Sequence, residues 1–85
     1  MYGGELKGLE IIFHISLVNS AIDRFGKKVS MTKIDDEHFL VKASHGISPT
    51  FFSWLFTFGD KVKLIAPQDV KDELKAHTER FLSGL

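Results

Sequence analysis

Four histidines (His14, His38, His45, His77) and the acidic triplet Asp35-Asp36-Glu37 are the residues of this chain best equipped for acid–base or metal chemistry. A structural or catalytic zinc site draws three or four such ligands from recurrent short spacings. These histidines are scattered, and no cysteine is present to complete a set. His77 falls on the apolar stripe of the last predicted helix, where packing is the simpler role. The acidic triplet lacks the alternating oxygen ligands of a calcium loop and reads as a solvated turn. His45-Gly46-Ile47-Ser48 lacks the glycines and the lysine of a phosphate loop, and no nucleophile elbow occurs. The expectation is a non-enzymatic protein with no catalytic residue, no cofactor and no metal.

Composition narrows the class further. The chain has 85 residues, enough for one domain with a single core. Eight phenylalanines and a hydrophobic fraction of 44% argue for a folded domain rather than a disordered one. Eleven basic residues balance eleven acidic ones, so no global field draws the chain to nucleic acid or membrane. The lack of cysteine fits a reducing, cytoplasmic setting. No apolar run approaches the roughly 20 residues of a membrane span, and Met1-Tyr2-Gly3-Gly4 lacks the pattern of a signal peptide. Residues 1–8 read as a linker or an N-terminal boundary, and 9–85 as the domain.

Periodicity supplies the elements. Leu9–Ile15 is an apolar, β-branched run and predicts a strand. Ser16 is placed to cap a short helix through Phe25, with Val18, Ile22 and Phe25 on one stripe and Gly26 as its stop. Val29–Ile34 and His38–Ser44 predict a hairpin around the acidic turn. Ser48-Pro49 opens a helix that Gly59 closes, because the serine oxygen can cap a free N–H and the proline ring suits the first turn. A strand over Lys61–Ala66 and a helix over Gln68–Leu82 complete the order βαββαβα. Short, right-handed connections turn its first six elements into an α+β, ferredoxin-like βαββαβ sandwich with an added C-terminal helix. The alternative leaves the first strand outside a three-stranded sheet.

The faces of these elements hold the candidate site residues. Phe51, Trp54, Leu55 and Phe58 form a core stripe on the second helix, and Phe52 and Phe56 widen it beyond what one sheet can cover. Either the last helix covers this pair, or the pair is an interface patch. Strand alternation turns Ile11, Phe13, Ile15, Val29, Met31, Phe39, Val41, Ala43, Val62 and Leu64 toward the helices. The same alternation turns Ile12, Leu40 and Ile65 outward as further interface candidates, beside His14, Lys42 and Lys63 as candidates for an anionic effector. The outer face lacks the exposed aromatics of an RNA-recognition sheet. Ile15-Ser16-Leu17 also lacks the arginine-bearing phosphate loop of acylphosphatase-like enzymes.

The unit SWLFTFGDKVKLIAPQDVKDELKAHTERFL resembles the C-terminal extension, or WCX domain, of WYL-domain transcriptional regulators. Trp54, Leu55, Phe58, Gly59, Val62, Leu64, Pro67 and Leu74 stand at the positions of that pattern, and Arg24-Phe25-Gly26 fits its first half in outline. The resemblance implies an accessory regulatory and dimerisation module with no catalytic residues to transfer. It implies a homodimer, an upstream WYL domain and helix-turn-helix as partners, and DNA contact only through those other domains. It also implies a share in sensing a nucleic-acid-derived effector. A different class of reading is a free-standing ferredoxin-like module that binds an amino acid or metabolite and pairs sheets edge to edge.

Overall fold

The computed structural model describes residues 6–85, and these form a four-stranded antiparallel sheet with three helices. The strands are β1 (Leu6–His14), β2 (Ser30–Asp35), β3 (His38–Gly46) and β4 (Val62–Ala66). The helices are α1 (Val18–Phe25), α2 (Pro49–Phe56) and α3 (Gln68–Ser83). The sheet order is β2-β3-β1-β4. The connection through α1 therefore straddles β3, and the connection through α2 straddles β1. The first strand lies inside the sheet, not outside a three-stranded one. Met1–Glu5, the greater part of the expected linker, lie outside the described residues.

Leu6–Gly8 belong to β1, although their Leu-Lys-Gly sequence carries no strand pattern. The long β3 imposes the pairing, with Leu6 opposite Gly46 and Gly8 opposite Ser44. At its other end β1 stops at His14, and Ile15 enters a 3₁₀ turn over Ile15–Leu17 instead of continuing the strand. Ile15 is consequently exposed rather than inward. The cap of this turn is His14, not Ser16: His14 Nδ1 accepts the Ser16 backbone N–H at 3.1 Å.

The second helix begins as its Ser-Pro start predicts, with Ser48 Oγ accepting the Phe51 N–H at 3.2 Å. It ends at Phe56, two residues before the expected limit. Gly59 then takes φ +60° at the head of a second 3₁₀ turn that absorbs Lys61, so β4 starts at Val62.

Leu9, Ile11 and Phe13 of β1 interleave with Phe39 and Val41 of β3, Ala21, Phe51, Phe52, Leu55 and Val70 to form the core. Phe13 lies at its centre, with its ring stacked on Phe39 and edge-on to both Phe25 and Trp54. Val62, Leu64 and Ala43 pack against this cluster from the expected face. Met31 does not reach it. It pairs with buried Val41 in the ladder, but β2 is the outermost strand and all six of its residues are exposed.

Phe52 exchanges roles with two residues of the expected core stripe. It is buried, whereas Trp54 and Phe58 are half-buried. The cause is α3, which packs along β4 and brings His77 to 5.4 Å from the Phe52 ring. No helix among the described residues is long and apolar enough to cross a membrane.

Candidate functional site

The predicted interface residues separate into three environments. Phe52 is 2% exposed and unavailable to a partner, so its place as an interface residue is corrected to a core one. Phe56, one turn further on, is 44% exposed and stacks on His77 at 6.0 Å. The last helix thus covers one phenylalanine of the pair and leaves half of the other open.

Beyond His77 the apolar stripe of α3 runs past the end of the core. Phe81 and Leu82 are 66% and 56% exposed, and with Ser53, Phe56, His77 and Thr78 they line a groove of about 450 Å³. The sequence pattern places Phe81 on the α3 stripe but cannot show that the sheet ends before the helix does.

On the other side of the sheet, Ile12 and Leu40 stand opposite one another on β1 and β3 and are half-buried. Ile65 lies at a register shift between β1 and β4, away from their row. A shallow cleft of about 350 Å³ opens at one end of this face, between Ile12, Asp35, His38, Asp60, Lys61 and Lys63. Its charges are mixed. Asp35 Oδ1 accepts the Glu37 backbone N–H at 2.8 Å and faces His38 Nδ1 at 3.0 Å. The backbone N–H first, and His38 second, hold this carboxyl below its ordinary value of 3.8.

The three residues proposed for an anionic effector are not brought together. Lys63 lines the mixed cleft, and His14 lies beside it with its ring edge-on to His38. The Nδ1 of His14 is engaged by Ser16, through the backbone N–H and a hydroxyl contact at 2.8 Å. Lys42 pairs in register with Glu10, four residues or roughly 13 Å along β1 from His14.

Lys42 instead joins residues that sequence reasoning passed over. With Lys27 and Lys28 of the α1–β2 turn it lines a cleft of about 470 Å³, together with Ser30 and Ser44. An adjacent cleft holds Ser20, Asp23, Arg24, His45 and Trp54. There the Arg24 guanidinium lies 4.8 Å from the centre of the Trp54 ring. The His45 ring stacks on Phe51 at 4.5 Å and donates its Nδ1–H to the Gly46 carbonyl at 2.7 Å. The Lys27-Lys28 pair after Gly26 was a legible signal; its convergence with Lys42 depends on the β2–β3 pairing.

Among the described residues no group of His, Cys, Asp and Glu converges in a metal-holding cluster. Comparison with protein-family models and with curated proteins finds no match to this chain.

Proposed function

We propose that this chain is an accessory regulatory and dimerisation domain of the kind that follows the WYL domain in helix-turn-helix transcriptional regulators. In this reading it has a ferredoxin-like core with an added helix, acts in the cytoplasm without catalysis, and pairs with a second copy through α2 and α3. The strand order β2-β3-β1-β4 and the two straddling connections support the ferredoxin-like assignment. The observation that carries the interaction role is the apolar groove in which Phe56, Phe81 and Leu82 stay exposed although a core lies one helical turn away. An amphipathic helix whose apolar stripe outruns its own sheet gains stability from a matching stripe on a partner. Any contribution to effector sensing would accompany this pairing.

Light scattering after size exclusion tests the reading on the chain and on a Phe56→Ser/Phe81→Ser variant. Both substituted side chains are substantially exposed, so the fold is expected to persist by circular dichroism. The expected result is a dimer for the parent chain and a monomer for the variant. A parent chain that remains monomeric at every concentration, or a variant that dimerises equally well, overturns the proposal.

A further inference from the structure

The corner where α1 hands the chain to β2 concentrates positive charge in a molecule whose net charge is zero. Gly26 turns the backbone out of the helix at φ +96°, a conformation that disfavours other residues, and sends Lys27 and Lys28 along the rim of the cleft. Lys42 reaches the same cleft from β3, directly across the ladder from Ser30. Among the described residues no carboxylate lines this cleft; Glu10 stands across the ladder from Lys42 and lines the next cleft with it, and Asp23 shares the cleft of Arg24. Neither Lys27, Lys28 nor Lys42 has an ion-pair partner among the described residues, whereas Lys7 and Lys33 do. Phe25 and His45, whose rings meet at 5.6 Å, separate it from the cleft holding Asp23 and half-buried Arg24, whose guanidinium lies over the Trp54 face.

We propose that this corner is a binding site for a phosphate-bearing ligand. Lys27, Lys28 and Lys42 supply the charge, Ser30 and Ser44 supply hydroxyl donors, and Arg24 extends the positive rim. Three lysines around one open cleft, none of them ion-paired among the described residues, are a stronger match to several phosphates than to a single carboxylate. Lysine serves here as a compact point charge that can follow phosphates of variable spacing. The ligand chemistry is shared by free oligophosphates and by the backbone of a short single strand. This inference is independent of the dimerisation role, and its failure leaves that role untouched.

Isothermal titration with two probes, tripolyphosphate and a short oligodeoxythymidylate, tests the site. Binding of either probe is expected, and the stronger one identifies the source of the phosphates. For the oligonucleotide, three phosphate contacts predict about a 20-fold weakening between roughly 50 and 200 mM salt. Lys27→Gln/Lys28→Gln and, separately, Lys42→Gln are expected to weaken binding at least several-fold, while Lys75→Gln, on the exposed side of α3, leaves it unchanged. All four lysines are exposed, and circular dichroism checks that each variant is folded. No heat with either probe at low salt overturns the proposal, as does an equal loss in Lys75→Gln, which would mark general attraction to surface charge.

Discussion

The strands β1 and β2 flank the same partner, β3, yet they have opposite fates. Every second residue of β1 from Leu9 to Phe13 is buried to within a percent, whereas all six residues of β2 are exposed. Both strands carry apolar residues on the helix-facing side, and Met31 is in register with fully buried Val41. What differs is distance from the helices. The eight residues of α1 and the eight of α2 lie over the centre of the sheet, and no third helix reaches β2, because α3 goes to the opposite edge. Alternation along a strand therefore tells which side a residue faces, while the reach of the helical layer decides whether that side is dry.

The sharpest way to break this contrast is to truncate the equivalent faces. Phe13→Ala removes a ring that touches Phe25, Phe39 and Trp54 and is expected to cost about 3–5 kcal/mol in denaturant unfolding. Met31→Ala should cost less than about 1 kcal/mol, since its surroundings are already wet. Similar losses from the two would mean that β2 is covered in solution.

A smaller effect concerns the helix that makes β1 the centre. Ser48→Ala deletes the oxygen that accepts the Phe51 N–H and should cost about 1 kcal/mol, with Ser48→Gly recovering most of it. If Ser48→Ala costs nothing measurable, the side-chain cap is not what anchors α2.

The smallest effect lies at the far end of β2. The fold depresses the Asp35 pKa, so its ionised form stabilises the hairpin at pH above the ordinary carboxylate range. That contribution is lost as pH falls through the lowered value. Carbon-detected titration should place the Asp35 midpoint below 3.8, and it should stay depressed in His38→Phe because the Glu37 N–H is the larger cause. A midpoint at or above 3.8 in the parent chain would show that the turn is open in solution.

Much of this architecture was legible from local pattern. The Ser48-Pro49 start, the Gly59 turn, the hairpin around Asp36 and the extent of α3 each depend on a few neighbouring residues, and local physics decides them. Some misjudged ends are local, since Ile15 leaves β1 for a 3₁₀ turn capped by His14 and α2 stops at Phe56; the other misjudged positions depend on partners distant in sequence. Leu6–Gly8 became strand because β3 is long enough to pair with them. Phe52 became core because α3 returns across α2, and Met31 stayed wet because nothing does the same for β2. The candidate surfaces behaved alike. The apolar surplus of α2 was visible, but its division between Phe52 and Phe56 was set by His77. The cluster of Lys27, Lys28 and Lys42 needed the strand ladder to exist at all.

The register shifts at the two sheet margins have a consequence for how the chain behaves in company. An outer strand offers unpaired N–H and C=O groups to any neighbour, and regular flat margins seed fibres. Here β2 is interrupted between Lys33 and Asp35, and the β1–β4 ladder is interrupted at Glu10/Ile11 before Pro67 ends β4. Each margin also carries a lysine, Lys33 on one and Lys63 on the other. Strand-to-strand stacking is therefore obstructed on both sides, so neither margin offers a regular template to a neighbouring strand.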